Sequence, residues 1–339
     1  MGDRKAVRKV GADGAVNTLA GDSAYPNLSV GITVDGTGRA ASFADVRGIA
    51  AGADGTLYVA DGSAANLRRI TPDGVVTTLA GSGLPGSADG TGAAASFASP
   101  SGLVMDKQGT LFMADFGNHR IRKITPGGSV STLSGTGQPG TAGGPAAAAT
   151  LNRPSHMAAD DAGQLFVYDV GSRSIRTISP AGIVSTLAGG TEGEPADGKG
   201  AAAVFNSVGG MAVGPDGVLY VSDFRTVRMV SADGTVSTLA GAAERGGNTD
   251  GALPAARFNA LGGIAIASDG RIFVADYGNH TVNVISGSRV TVSAPATIAT
   301  PAPTPAPTPA PMAPAAAPHC QATPCATAVP GPKPIKAAP

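Results

Sequence analysis

GLVMDKQGTLFMADFGNHRIRKITPGGSVSTLSG, residues Gly102 to Gly135, holds four short apolar stretches separated by turn residues. With Ser101 added they read as SGLVMD (strand a), TLFMAD (b), RIRKIT (c) and SVSTLSG (d). Asp106 with Gly109 lies between a and b, and Gly127-Gly128 lies between c and d. Such Asp/Gly connections supply the positive φ that tight antiparallel hairpins need. The stretch therefore predicts a small four-stranded antiparallel sheet.

The same pattern recurs along the chain. The strand-b motif ends at Asp61, Asp115, Asp169, Asp223 and Asp276, in LYVAD, LFMAD, LFVYD, LYVSD and IFVAD. An apolar marker before strand a falls at Phe43, Phe97, Leu151, Phe205 and Phe258. Both series step by 54, 54, 54 and 53 residues. Of the 14 Phe and Tyr residues, 12 occupy repeated positions, so the aromatics are packing elements and not a cofactor cage. Equal modules of this kind stack as blades about an axis. The fold expected is an all-β β-propeller of four-stranded antiparallel blades, five in number, with six as the alternative.

Residues 7–21 match the c–d half of a blade, whereas the last unit, near Arg289 to Ser293, lacks the TLAG ending of its counterparts. Val16–Ala20 is accordingly expected to supply the outer strand of the last blade and close the ring, covering exposed edges. After Val292 the composition changes: 14 of the 26 prolines lie between 293 and 339, including TPAPTPAPTPAP. The division is a propeller over 1–292 with repeat units at about 43–96, 97–150, 151–204, 205–257 and 258–292, plus the closing strands within 7–21. A disordered Pro/Ala/Thr-rich tail over 293–339 follows.

Charge narrows the partners. Lys+Arg and Asp+Glu balance at 24 each, so the basic excess typical of nucleic-acid binders is missing and no nucleic-acid partner is expected. No apolar run is long enough for a membrane span. The start MGDRKAVRKV carries no apolar h-region, so no signal peptide is expected, although the Pro-rich tail resembles an extracytoplasmic surface spacer. A monomer is expected. Cys320 and Cys325 are the two cysteines, and with His319 their spacing is too sparse to indicate a metal site.

The units closely resemble bacterial NHL repeats, on Gly102–Gly135 and on GIAIASDGRIFVADYGNHTVNVIS (Gly263–Ser286), with D-x-G-N-H at Asp115–His119 and Asp276–His280. The resemblance implies a propeller that binds a protein or another polymer. Some relatives of that family are peptidyl-hydroxyglycine amidating lyases, and gluconolactonase-like propellers are a neighbouring class, so a metal-dependent propeller enzyme is the alternative function. RNA recognition, which some eukaryotic NHL propellers perform, is disfavoured by the neutral charge.

No catalytic, cofactor-binding or metal-ligating residue is assigned, and no cofactor is expected. The strand-b aspartates are spread one per blade and read as caps of the b–c turn backbone. The strand-c series Arg8, Arg68, Arg122, Arg176 and Arg228 (Asn283 in the last unit) reads as solvated cross-strand pairing, and the Asp-Gly elements at Asp35, Asp89, Asp197 and Asp250 read as turns. In the lyases a metal-ligand His precedes the strand-a Gly in more than one blade. Here His156 replaces that Gly, against Gly48, Gly102, Gly210 and Gly263 elsewhere, and one imidazole does not build a site of about three protein ligands. His156, with Arg47, Ser101 and Ser155, is the candidate for ligand contact at the channel mouth.

Overall fold

The computed structural model describes residues 2–11, 13–22, 33–287 and 289–293. Most of the expected tail, with Cys320 and Cys325, lies outside them.

In blades 1 to 4, strand b is apolar on both faces because each of these blades is sandwiched between two neighbouring sheets. In Leu111–Asp115, Leu111 and Met113 face the preceding blade, while Phe112 and Ala114 face the next. Strands a to d run Val46–Ala51, Leu57–Asp61, Asn66–Ile70 and Val75–Ala80 in blade 1. In blade 2 they run Pro100–Met105, Leu111–Asp115, Arg120–Ile124 and Ser129–Ser134. Blade 3 has Pro154–Ala159, Leu165–Asp169, Ser174–Ile178 and Ile183–Gly189. Blade 4 has Val208–Val213, Leu219–Asp223, Thr226–Val230 and Thr235–Gly241. Blade 5 has Leu261–Ile266, Ile272–Asp276, Thr281–Ser286 and Arg289–Ser293. All pairings are antiparallel, and strands a of successive blades lie side by side from blade 1 to blade 5. This is the five-bladed propeller that the period predicts.

Two features depart from the expectation. Each blade carries a fifth, two-residue strand on its outer edge, such as Gly90–Thr91 against Ser129–Ser134, donated by the long loop that leads to strand a. The loops thereby cover edges that would otherwise be open. Second, Val16–Gly21 does not join the last blade. It pairs with Ala6–Val10, which pairs in turn with Gly2–Asp3, in a separate three-stranded sheet. The tight connection explains why: Gly14 adopts φ +81° and donates to Gly11 O at 3.0 Å, so a local hairpin closes at low entropic cost. Blade 5 uses its own Arg289–Ser293 instead, in register from Ser286↔Arg289 to Val282↔Ser293.

The three-stranded sheet is nonetheless a true partial blade. Arg4 O accepts from Val46 N at 2.8 Å, just as Phe224 O accepts from Leu261 N at 2.6 Å between blades 4 and 5. Val7 and Ala20 pack into blade 1 on Phe43, Val46 and Ile70. Four further clusters fill the junctions between consecutive blades, each joining the far face of one sheet to the near face of the next. Burial of a side chain such as Phe97 or Phe205, both 0% exposed, contributes about 2–3 kcal/mol.

Candidate functional site

Strand a begins with an irregularity in every blade: the a–b register shifts between Val46/Gly48, Pro100/Leu103, Pro154/Met157, Val208/Gly210 and Leu261/Ile264. Bulges re-aim side chains, and here they fall at the start of the innermost strands. The residues at the bulges are Arg47-Gly48, Ser101-Gly102, Ser155-His156, Gly209-Gly210 and Gly262-Gly263. A Cβ on Gly48 would collide with Ser101 O, one on Gly102 with Ser155 O, and one on Gly210 would meet Ile264 N at 2.8 Å. Glycine at these positions thus lets neighbouring inner strands approach backbone to backbone.

The four residues expected at the channel mouth therefore sit at equivalent or adjacent positions on three consecutive inner strands, in different environments. Arg47 is exposed and holds Asp45 through Nε at 2.8 Å. Ser101 and Ser155 are buried, and Ser155 Oγ donates to Tyr168 O at 3.5 Å. His156 is half-buried, and desolvation lowers its pKa to about 4, so the imidazole is neutral at pH 7 and can accept or donate one hydrogen bond. Blades 4 and 5 offer only glycine at these positions. The bulged starts of the inner strands are therefore unequal, with side chains on blades 1 to 3 and bare backbone on the other two.

The repeated acidic and basic residues lie elsewhere and serve the scaffold. In blade 2, Asp115 Oδ1 accepts from Ala98 N at 2.8 Å and Oδ2 from Arg122 Nη1 at 2.7 Å. Asp61, Asp169, Asp223 and Asp276 likewise accept from the backbone just before strand a, at Ala44 and Asp45, Asn152, Asn206 and Ser207, and Asn259 and Ala260. The cap is thus on the incoming loop and not on the b–c turn backbone, because the loop's amides would otherwise be buried without acceptors. In blades 2 and 5 the turn adds a side chain, Asn118 or Asn279, at 2.8 Å.

Four of the five strand-c arginines are not solvated, while Arg8 is half-buried. Arg68, Arg122, Arg176 and Arg228 are 0–1% exposed and lie among the largest buried side chains. Each reaches inward to the strand-b Asp and outward to the loop. Arg122 Nη2 donates to Ala88 O at 2.8 Å and to Asp89 Oδ1 at 2.7 Å, and Asp89 in turn accepts from Thr132 N and Oγ1. Arg68 with Asp35 and Thr78, and Arg228 with Asp197 and Thr238, repeat this arrangement. Three of the aspartates read as turn residues are therefore ion-pair partners. The guanidinium carbons of Arg68, Arg122 and Arg228 stand 5.3–5.6 Å from the centroids of Phe43, Phe97 and Phe205, over the ring faces.

In blades 1 and 2 the two carboxylates that hold the arginine, Asp61 with Asp35 and Asp115 with Asp89, titrate oppositely. Burial raises Asp61, Asp115 and Asp223 above the usual carboxylate range, more than their hydrogen bonds and the nearby arginines lower them. Burial also acts on Asp89, but the bonds from Arg122 and Thr132 outweigh it and lower the pKa. In blade 3 the loop Asp is replaced by Gly143, Arg176 stands 3.4 Å from Asp169, and burial takes Asp169 up to about 6. Among the described residues no three His, Cys, Asp or Glu side chains gather as a metal set. No described helix is long and apolar enough to cross a membrane.

Sequence reasoning also missed a link between blades: His119 Nδ1 accepts from Arg153 N at 3.0 Å, tying the b–c turn of blade 2 to the loop entering blade 3. His119 and His280 share φ values of 54° and 57°, so the residue at this repeat position adopts the left-handed conformation.

Comparison with known proteins agrees with this architecture. The NHL repeat family matches residues 97–124 and 258–285. NHL repeat-containing protein 2 of Bos taurus is 30% identical over 153 residues, covering 41% of this chain and 21% of that protein. The chain spans about a fifth or less of the length of the curated relatives it matches. An auxiliary nutrient binding protein from Bacteroides thetaiotaomicron superposes with a TM-score of 0.62 at 15% identity, over 86% of this chain and 65% of that one. A gluconolactonase from Xanthomonas campestris superposes with a TM-score of 0.50 at 19% identity, over 74% and 76%. These two likenesses are of fold. With the recurrent strand-b Asp, the D-x-G-N-H turns and the five blades, the chain is an NHL-repeat β-propeller.

Proposed function

We propose that this propeller is a non-catalytic binding or scaffold module that takes a protein or another polymer at its channel mouth and the adjoining inter-blade loops. One observation carries the reading: at the bulged start of strand a, blades 1 to 3 present Arg47, Ser101, Ser155 and His156 where blades 4 and 5 have paired glycines. A purely structural repeat has no reason to break its own symmetry on one side of the mouth, whereas an asymmetric ligand does. The neutral imidazole of His156 and the cationic Arg47 suit hydrogen-bonding and anionic groups of an extended chain. The described buried aspartates and arginines are engaged in holding the scaffold together.

The test is capture of partners from the native source on immobilised protein, comparing the unaltered chain with His156→Gly and Arg47→Ala. A partner retained by the unaltered chain and lost by both variants supports the proposal. Equal retention by all three would end it, and stoichiometric zinc or calcium in the purified protein would favour the metal-dependent enzyme instead.

A further inference from the structure

The outer half of blade 4 holds a recess of about 230 Å³ at the start of strand c. It is lined by the ion-pair set Arg228, Asp197 and Thr238 and by Pro195, Thr226 and Ala242. Its volume is below the roughly 300–1,000 Å³ of sites for drug-sized ligands, so it suits a single side chain.

Blade 2 shows what fills the same place. The two blades match at the ion pair: Arg122 Nη2 reaches Ala88 O at 2.8 Å and Asp89 Oδ1 at 2.7 Å, and Arg228 Nη2 reaches Ala196 O and Asp197 Oδ1, both at 2.7 Å. Gly135 and Gly241, with φ of 94° and 89°, carry the chain away from strand d alike. Counted from these anchors, Ser87, Arg120 and Thr136 of blade 2 correspond to Pro195, Thr226 and Ala242 of blade 4. In blade 2 the Arg120 guanidinium spans the gap, Nη1 donating to Ser87 O at 3.3 Å and Nη2 to Thr136 O at 3.4 Å. In blade 4 the short Thr226 is 3% exposed, and its Oγ1 is turned to Asp223 O at 3.0 Å. The recess is thus the room that an arginine takes up two blades earlier. Elsewhere that room is closed. Asn66 reaches Thr33 Oγ1 at 3.4 Å in blade 1, and in blade 3 the loop itself stands in, with Thr141 O on Arg176 Nη2 at 3.2 Å.

Charge points the same way. All three glutamates of the chain, Glu192, Glu194 and Glu244, lie on the two loops around this recess. Glu194 and Glu244 are exposed and adjoin the lining residues Pro195 and Ala243 in sequence. Among the nearby cations, Arg173 faces Glu192 at 4.0 Å, Arg225 Nε donates to Asn259 O at 3.3 Å, and Arg245 is exposed beside Glu244. Nor does Arg228 repel a second guanidinium more than its counterpart does. Arg120 shares a strand face with Arg122, which Asp115 and Asp89 neutralise as Asp223 and Asp197 neutralise Arg228.

We propose that this recess is a binding site for a guanidinium group, entered by an arginine side chain of a partner polypeptide. The acceptors are the carbonyls of Pro195 and Ala242, equivalent to Ser87 O and Thr136 O. Ala242 O already accepts from Arg245 N at 3.3 Å and keeps its second lone pair. A planar guanidinium spans two separated carbonyls where a compact ammonium meets one, so arginine is preferred to lysine. The site shares no residue with the channel mouth and does not depend on His156.

The probes are acetyl-Gly-Arg-Gly-amide, the same peptide with lysine or citrulline in place of arginine, and agmatine, each titrated calorimetrically into the full chain. The arginine peptide should bind saturably, about tenfold or more tighter than the other two peptides. Thr226→Arg, which installs the residue of blade 2, should abolish binding. If that variant does not fold, Glu194→Gln with Glu244→Gln should weaken binding about threefold and reduce its salt dependence. His156→Gly should bind like the unaltered chain even if the channel-mouth reading fails. No saturable binding, equal binding of the lysine or citrulline peptide, or full binding by folded Thr226→Arg would overturn the proposal. Agmatine binding more tightly than the arginine peptide would overturn the polypeptide as the source of the guanidinium.

Discussion

Arg122 Nη1 lies 2.7 Å from Asp115 Oδ2, and neither side chain is reached by solvent. Two opposite charges withdrawn from the surface are costly to desolvate, and the cost is offset only because both are further bonded: Asp115 to Ala98 N, and Arg122 to Asp89, Ala88 O and Ser96 O. The pair ties strand b, strand c and the incoming loop of one blade into a single unit.

Removing one member leaves the other charged and buried. Asp115→Ala is expected to destabilise the protein by about 3–5 kcal/mol. Asp276→Ala should cost less, because Asn283 stands in place of Arg in blade 5 and no buried cation is orphaned. Urea denaturation of the two variants side by side checks the order.

The inner-strand glycines differ in how closely the described residues approach them. Gly102→Ala drives a methyl into Ser155 O and should cost about 1–3 kcal/mol, while Gly263→Ala meets none of the described atoms within 4 Å and should be close to neutral. Thermal melts of both variants decide the matter. Equal losses would mean that Gly263 has a close neighbour after all.

His156 makes the fold acid-sensitive. Its folded pKa of about 4 lies below the ordinary 6.5, so between those values the unfolded chain takes up a proton that the folded chain refuses. Stability from this group is complete above pH 6.5 and is lost as pH falls toward 4. His156→Gly, which restores the residue used by the other four blades, should show a shallower fall in urea midpoint between pH 6.5 and 4.

Asp169 acts in the opposite sense. Burial sets its folded pKa at about 6, above the ordinary 3.8, so the folded chain holds the proton longer than the unfolded one. Its contribution is full below pH 3.8 and declines as pH rises through 6. Asp169→Asn should remove that decline, measured as the change in urea midpoint between pH 4 and pH 6.5 relative to the unaltered chain.

Much of the architecture was legible because it is local and repeated. A four-strand module depends on alternating apolar residues, on Asp/Gly hairpins and on Phe97-like wedges, all fixed within about fifty residues and then written five times. The asymmetry of the inner-strand bulges was legible for the same reason: His156 stands out only because four other units show Gly at that position. The arginines misled because charge in a sequence reads as surface. Their burial depends on Asp115, Asp89, Ala88 and Phe97 converging from separate strands and loops, which no local pattern records.

The sequence by itself determined the number, size and order of the blades, since each closes its own hairpins with its own turn residues. Only the tertiary structure decided where the N-terminal strands pair. Val16–Gly21 matches an outer strand wherever it is placed, and what selects its partner is the short hairpin from Ala6–Val10 and the packing of Val7 and Ala20 on Phe43.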